Sequence, residues 1–156
     1  MKRFHAHIAV DDLAASIAFY SKLFGQAPTK HKADYAKWML DDPRVNFAIS
    51  TRGQTPGLDH FGIQAEHAGE LSALEAQARA ASGDALLDPG EAACCYARSE
   101  KHWVLDPQGI AWEHFQTMAD ADVFGAGRSA SAVDCCAPQD GAPSDAACCA
   151  PGASCG

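Results

Sequence analysis

The sequence predicts an α+β domain in which two similar units form a curved, mostly antiparallel sheet around a cavity. Two segments share one order of elements: a strand that begins near a histidine, an amphipathic helix that ends at glycine, and then further strands. The chain of 156 residues is long enough for one self-sufficient core, and a second full domain is not expected. Two strand–helix–strands units of this size therefore pack into one layered domain.

The first unit covers about residues 1–52 and opens with a strand over residues 4–10, where side chains alternate in character. Asp12 is the predicted helix N-cap, apolar residues then recur at helical spacing as far as Phe24, and Gly25 ends the helix. Two strands follow, at residues 38–40 and 45–50, and a turn over residues 41–44 joins them.

The second unit covers about residues 57–118 and repeats this order. Residues 58–65 form the predicted strand, Leu71, Leu74 and Ala78 mark the helix, and Gly83 ends it. A turn over residues 106–109 then joins strands at 102–105 and 110–115. The domain is expected to end near residue 118, and residues 119–156, poor in large apolar side chains, are predicted to be a disordered tail that carries cysteine pairs.

Composition limits the classes of partner. The net charge is -8, from 12 basic and 20 acidic residues, which disfavours nucleic acid and anionic membranes and leaves a small molecule as the expected ligand. No stretch is apolar enough for a signal peptide or a transmembrane segment, so the protein is expected in the cytoplasm.

Cysteine spacing predicts the capture of a soft ion. Neighbouring cysteines make strained disulfides, whereas two neighbouring thiolates can bind one thiophilic centre such as a trivalent metalloid, Cd²⁺ or Cu(I). An odd number of cysteines without an export signal also favours reduced thiols. The seven cysteines fall as the pairs Cys94-Cys95, Cys135-Cys136 and Cys148-Cys149, with Cys155 left over.

Two histidines and a glutamate form a candidate metal site. His5 and His60 occupy equivalent positions in the two units, and Glu113 stands in an otherwise apolar strand, where an unpaired carboxylate would be costly. Two histidines and one carboxylate from separate strands match the facial triad that holds non-haem Fe(II). On the residues alone, a second interpretation stays open, in which the histidines are hydrogen-bonded sheet residues and Glu113 lies on an exposed edge.

Motifs add a resemblance to a known family. Residues 5–25 resemble the opening of the vicinal oxygen chelate superfamily and read His5-x-x-x-x-Val10-x-Asp12-Leu13-x-x-Ser16-Ile17-x-Phe19-Tyr20-x-x-Leu23-Phe24-Gly25. Five later segments are similar to its carbon–arsenic lyase group, whose relatives include cadmium-induced proteins: residues 35–40, 58–63, 94–97, 101–104 and 109–113. The resemblance covers about residues 1–118.

This resemblance implies two βαβββ repeats around a metal cavity and an Fe(II)- and O₂-dependent cleavage of the carbon–arsenic bond in trivalent organoarsenicals, methylarsenite or aromatic, that releases arsenite. By position, the metal triad falls on His5, His60 and Glu113, and the arsenic-binding thiols fall on Cys94 and Cys95. Lys101 is expected to contact the substrate or to lower a thiol pKa. His7 lies on the same strand face as His5 and is the rival ligand, and the complete triad permits a monomer or a homodimer.

Two comparisons between the units refine these expectations. Seven residues after Asp106 is Glu113, whereas seven residues after Asp42 is Ile49, with Phe47 expected on the same face, so a fourth ligand of the glyoxalase I kind is missing. The second unit also carries about nine extra residues around Cys94 and Cys95, which are interpreted as a flexible loop that closes over the metal. Trp38, Trp103 and Tyr96 are candidate cavity residues.

Two other functions remain open at this point. The thiol pairs fit a non-catalytic protein that sequesters cadmium or arsenite, and in such a protein the triad would be incidental. The triad alone fits an extradiol-type dioxygenase that acts on a catechol, in which the cysteine pair would have no role. Replacement of Cys94 and Cys95 separates the last of these from arsenical cleavage.

Overall fold

The protein is described by a computed structural model over residues 1–52, 55–83, 86–94 and 97–120, with only the backbone described for 87–94, 97, 98, 119 and 120. The first unit comprises β1 (Arg3–Ala9), α1 (Leu13–Phe24), β2 (Lys30–Lys32), β3 (Tyr35–Asp41) and β4 (Arg44–Ser50). The second comprises β5 (Gly57–Ala65), α2 (Ala68–Ser82), β6 (Leu87–Cys94), β7 (Ala97–Leu105) and β8 (Ala111–Asp120). The order βαβββ therefore occurs twice, as predicted. The tail beyond residue 120 lies outside the described residues.

Both helices begin and end at local capping groups. The Asp12 side chain accepts a hydrogen bond of 2.9 Å from the Ala15 amide, and Gly25 follows α1 with a φ of 68°, a left-handed conformation that favours glycine. The first amides of α2 are capped instead by the His67 Nδ1 atom, which accepts from the Glu70 amide at 3.2 Å. Neither described helix is long and apolar enough to span a membrane.

Eight strands form one open, curved sheet in the order β2-β3-β4-β1-β5-β8-β7-β6. The central pair β1 and β5 is antiparallel, and each central strand has a parallel neighbour, β4 beside β1 and β8 beside β5. All remaining neighbours are antiparallel. The two units therefore meet at the β1–β5 pair, which brings equivalent positions of β1 and β5 together.

The two faces of the sheet differ in chemistry. Beneath α1, the apolar cluster is built on Ala36, Trp38 and Ile49, with Phe47 packed against it. Beneath α2, a second cluster contains Leu71 and Leu74. The opposite face, called here the cavity face, carries buried polar side chains. The assignment of Trp38 to the cavity was therefore wrong, since its ring is fully buried on the helix side, where its Nε1 donates to the Gln26 carbonyl at 3.2 Å.

The comparison of β4 with β8 also needs correction, because the two hairpin turns differ in length. Asp41 pairs directly with Arg44 in the first hairpin, whereas Leu105 pairs with Ala111 in the second. The second turn is thus three residues longer, and an odd difference moves a counted position to the other face of a strand. Counted from the paired ends, the counterpart of Glu113 is Asn46. Ile49 and Phe47 pack under α1.

Candidate metal centre

Three neighbouring strands bring the predicted triad together. His5 on β1, His60 on β5 and Glu113 on β8 are each at most 6% exposed. The Nε2 atoms of the two histidines are 3.1 Å apart, and Glu113 Oε2 lies 3.7 Å from the His5 Nε2 atom and 3.5 Å from the His60 Nε2 atom. Because β8 lies between β5 and β7, the interpretation of Glu113 as an exposed edge residue does not fit.

Hydrogen bonds at the far side of each ring orient the two histidines. The Nδ1 atom of His5 lies 2.9 Å from the Asn46 carbonyl, to which it donates, and the Nδ1 atom of His60 lies 3.0 Å from Asp59 Oδ2. With both protons at Nδ1, two Nε2 lone pairs face each other, and this contact is repulsive unless a proton or a cation lies between them. Two imidazole nitrogens and a carboxylate oxygen therefore fit a divalent metal ion.

The electrostatics of the three groups differ. Burial lowers the pKa of His5 to about 3, and the neighbouring His60 lowers it further, so His5 is neutral at pH 7. Burial opposes the charged form of His60, yet hydrogen bonds to Asp59 and Glu113 raise its pKa. Burial also opposes the charged form of Glu113, but Lys101 and then His60 hold the pKa of the carboxyl well below its usual range. Glu113 is therefore an anion available to a cation.

His7, the rival ligand, faces away from the triad atoms. Its Nε2 atom lies 3.0 Å from the Ser50 hydroxyl, and its Nδ1 atom lies 3.1 Å from Asp59 Oδ2, off the direction of a good hydrogen bond. Both ring nitrogens therefore have neighbours outside the triad, whereas the Nε2 atom of His5 points into it. The geometry favours His5 over His7 as the ligand on β1.

Lys101 lies against the triad itself. Its Nζ atom is 2.6 Å from Glu113 Oε1, and both side chains are buried. The two oxygens of Glu113 thus face different partners, with Oε1 toward the ammonium and Oε2 toward the histidines. The expected contact of Lys101 with a substrate is not tested by this geometry, which gives the lysine a structural role as the counter-ion of Glu113.

The cysteine pair falls at the end of a hairpin. Cys94 is the last residue of β6, and its backbone pairs with Ala97, the first residue of β7. Cys95 and Tyr96 lie outside the described residues, as does the side chain of Cys94. The prediction of a flexible loop was wrong for residues 87–94, since most of the extra length extends β6 and β7 to eight and nine residues, against three and seven for β2 and β3.

A cavity of about 410 Å³, including space open to solvent, adjoins the triad. Trp103 lies level with Glu113 on the neighbouring strand, and its ring centroid is 4.9 Å from that of His60, so this tryptophan is beside the site as predicted. The cavity is lined by His5, His7, Tyr35, Lys37, Asn46, Ala48, Ser99, Lys101, Glu113, Phe115 and Thr117. Its size and mixed lining suit a small polar ligand.

Sequence reasoning missed two residues that shape this site. Asp59 directly precedes His60, so a carboxylate adjacent to a candidate ligand was the available signal. Asn46 could be found only by correct alignment of the two hairpins. Its Nδ2 atom donates to Gln64 Oε1 at 2.9 Å, and within the described residues its buried Oδ1 atom has no hydrogen-bond partner.

Gly62 permits the close approach of β5 and β8 beside Glu113. A Cβ atom at this position would lie 2.1 Å from the Glu113 carbonyl oxygen. We expect Gly62→Ala to shift Glu113, to cost about 1–3 kcal/mol of unfolding free energy, and to weaken Co(II) binding about 10-fold or more. Urea unfolding and a Co(II) titration measure these effects. Gly69→Ala, which meets only His67 at 3.5 Å or beyond, is the control. Unchanged Co(II) affinity in Gly62→Ala would contradict the prediction.

Acid is expected to destabilise the metal-free protein. Burial lowers the pKa of His5 to about 3, of His114 to about 4, and of His7 in the same direction. Below pH 6.5 the unfolded chain takes up protons that the folded protein refuses, so stability falls as the pH drops toward 4. The raised pKa of His60 acts oppositely, because its contribution is present below pH 6.5 and is lost as the pH rises through the folded value.

The three lowered histidines outweigh His60 in the window from pH 6.5 to 4. Each contributes at most about 1.4 kcal/mol per pH unit, so we expect a total loss of a few kcal/mol across the window. Urea unfolding of the metal-free protein at pH 7, 5.5 and 4.5 measures it. A free energy of unfolding that is constant or rises toward pH 4.5 would show that these histidines are not held neutral.

Comparison with known proteins identifies relatives for the whole chain. A protein named "Trivalent organoarsenical cleaving enzyme" from Bacillus sp. (strain MD1) is 37% identical, covering 99% of this chain and 94% of the relative. A protein of the same name from Thermomonospora curvata is 36% identical, covering 94% and 96%. "Cadmium-induced protein CadI" from Mycobacterium bovis is 34% identical, covering 81% and 84%.

Solved structures agree on the fold. Homoprotocatechuate 2,3-dioxygenase from Arthrobacter globiformis matches with a TM-score of 0.54 at 20% identity, covering 76% of this chain and 36% of that protein. A superfamily member from Vibrio splendidus matches with a TM-score of 0.52 at 15% identity, covering 76% and 100%. The family model described as Glyoxalase/Bleomycin resistance protein/Dioxygenase superfamily matches residues 2–114. The chain therefore belongs to the glyoxalase/bleomycin resistance protein/dioxygenase superfamily.

Proposed function

We propose that the protein cleaves the carbon–arsenic bond of trivalent organoarsenicals in a reaction that needs Fe(II) and O₂ and releases arsenite. The observation that carries the proposal is the buried set of His5, His60 and Glu113, whose donor atoms converge beside a cavity. The relatives named as organoarsenical cleaving enzymes, which cover nearly the whole chain, support the choice of substrate class.

Iron is the metal that the donor set favours for this chemistry. Two neutral imidazoles and one carboxylate are the ligands of non-haem Fe(II) oxygenases, and three protein ligands leave coordination positions for other molecules. The first-unit counterpart of Glu113 is the amide Asn46, so a second carboxylate ligand is missing from β4. When bound, Fe(II) supplies the activation of O₂ for oxidative cleavage.

The residues of the chain have separate tasks in this proposal. Cys94 and Cys95 bind the arsenic atom through two thiolates, because sulfur is the preferred ligand of soft trivalent arsenic. Lys101 neutralises Glu113 and holds one carboxylate oxygen, which leaves the other to the metal. Phe115 and Tyr35 line the cavity and limit the access of water to the reacting atoms.

The hairpin of β6 and β7 must bend for the thiols to reach the metal. Trp103 lies level with Glu113, and Ala97 is six residues further along β7, which corresponds to about 20 Å in an extended strand. A register shift between Arg98 and Ser99 interrupts the pairing of β7 with β8. Bulges bend strands, so this irregularity supports a hairpin that curves over the cavity and brings the substrate to the triad.

The proposal includes a cellular setting and an assembly. Free thiols stay reduced in the cytoplasm, which is where we place the protein. The triad is complete in one chain, so the reaction requires only a monomer, and a homodimer is compatible with it. Small arsenicals and O₂ are the partners, and nucleic acid and membrane are not.

Arsenite release tests the proposal directly. The Fe(II)-loaded protein is incubated with methylarsenite in air and without oxygen, and arsenic species are separated by chromatography with arsenic detection. We expect arsenite only where Fe(II) and O₂ are both present. Tight arsenic or cadmium binding without turnover would replace the proposal with the sequestering function that the cadmium-induced relatives suggest. Catechol cleavage has only the shared fold in its favour.

A further inference from the structure

We propose that Asp59 is a positioning residue that fixes the His60 ring with its Nε2 atom toward the metal centre, and that His7 and Ser50 hold Asp59 in place. This inference rests on the proposed metal site but on no step of arsenical chemistry. The superfamily match and the relatives' names assign no role to these three residues.

A bulge in β5 brings Asp59 to the site. His7 of β1 pairs with His60, and the next pair is Ile8 with Leu58, so Asp59 is the extra residue of this irregularity. In a regular strand, Asp59 and His60 would point to opposite faces of the sheet. At a bulge, two successive residues oppose one partner, which re-aims a side chain. This local geometry explains how a carboxylate reaches the ring of the residue that follows it.

One carboxylate oxygen serves both histidines. Asp59 Oδ2 lies 3.0 Å from the Nδ1 atom of His60 and 3.1 Å from the Nδ1 atom of His7, with the Asp59 side chain 11% exposed. Burial opposes the charge, but hydrogen bonds from His60 and then His7 lower the pKa of Asp59, so it is a carboxylate at neutral pH. A carboxylate beside Nδ1 selects the tautomer whose proton is on that atom.

The consequence for the metal centre follows from this tautomer. With its proton on Nδ1, the His60 ring presents a lone pair at Nε2, which lies 3.1 Å from the Nε2 atom of His5 and 3.5 Å from Glu113 Oε2. A hydrogen bond to a negative group also makes the ligating nitrogen more basic. His7 is fixed from its other side by the Ser50 hydroxyl at 3.0 Å, and thereby limits the movement of Asp59.

A competing possibility is that these residues hold a second metal ion. Donor atoms of His7, Asp59 and His60 lie within 4.8 Å of one another. However, a metal there would take the Nδ1 atom of His60 and remove the hydrogen bond that orients its Nε2 atom. Because His60 belongs to both sets, occupation of one set disfavours the other. We therefore infer one metal per chain, at the triad.

The test compares Asp59→Asn and Asp59→Ala with the unmodified protein. Asparagine can still accept the Nδ1 proton but lacks the charge, whereas alanine removes both. We expect one Co(II) per chain for the unmodified protein and a loss of Co(II) affinity of about 10- to 100-fold in the variants, larger for alanine. Asp41→Asn, which removes an exposed partner of Arg3, is the matched control and leaves Co(II) affinity unchanged.

A spectroscopic readout separates positioning from general loss of structure. Long-range ¹⁵N NMR of the metal-free protein at pH 8.5 reports which nitrogen of His60 carries the proton. We expect Nδ1–H in the unmodified protein and a larger Nε2–H population in Asp59→Ala. Two Co(II) ions per chain, Nε2–H in the unmodified protein, or unaltered affinity in Asp59→Asn would each overturn the inference. Failure of arsenite release with these results intact would overturn only the proposed function.

Discussion

Glu113→Gln will abolish Co(II) and Fe(II) binding and with it arsenite release, and it will also destabilise the protein. Glutamine is neutral and loses the charged oxygen that faces His5 and His60. The same change leaves the Lys101 ammonium buried without its counter-ion, because that pair is 2.6 Å long and at most 5% exposed. Removal of one partner of a buried pair costs about 3–5 kcal/mol. Removal of a direct ligand costs more than the 10- to 100-fold in affinity that an outer partner contributes, about 100-fold or beyond.

A double variant separates the two effects. Lys101→Met combined with Glu113→Gln removes the unpaired ammonium and replaces it with an apolar side chain of similar length, so most of the lost stability should return. Metal binding and arsenite release should stay absent. Urea unfolding of the metal-free proteins measures the first effect, and Co(II) titration measures the second.

Two results would count against this account of Glu113. Normal Co(II) affinity in Glu113→Gln would place the metal elsewhere, with the group of His7, Asp59 and His60 as the alternative. Recovery of metal binding in the double variant would show that Glu113 acts only as the partner of Lys101.

Sequence patterns predicted the elements that bury a periodic apolar face. The helix α1 has its apolar residues at helical spacing and a capping residue at each end, and its bounds agree with the prediction. Strand β2 was missed because its three residues, Lys30–Lys32, are polar and short. Strand β6 was missed because its sequence contains Pro89 and Gly90, which are disfavoured in strands, and its pairing with β7 overrides that local preference.

The candidate site shows the same division. His5, His60 and Glu113 could be singled out from the equivalence of the units and from the cost of a carboxylate in an apolar strand. The face of Ile49 could not, because a difference of three residues between two turns reverses every side chain after them. The role of Asp59 was hidden for a similar reason, since only the bulge in β5 turns its carboxylate toward His60.

Replacement of both loop cysteines, Cys94→Ser with Cys95→Ser, is expected to lower arsenical cleavage at limiting substrate by about 100-fold or more, because the second thiolate of a pair binds at high effective concentration. Each single variant should lose less than the double variant. Co(II) affinity should be unchanged, since the triad lies on β1, β5 and β8 and Cys94 ends β6. Rates of arsenite release across a range of methylarsenite concentrations measure the effect.

The tail supplies the matched control for this prediction. Cys135→Ser with Cys136→Ser removes an adjacent pair of the same chemistry outside the domain of residues 1–118. If the hairpin pair delivers arsenic to the triad, the tail variant keeps cleavage at saturating substrate, and the hairpin variant loses it while retaining its metal. The opposite pattern would mean that the tail captures the substrate, and the register shift at Arg98 and Ser99 would then have no part in bringing arsenic to the metal. Equal loss in both variants would mean that neither pair alone is the binding site.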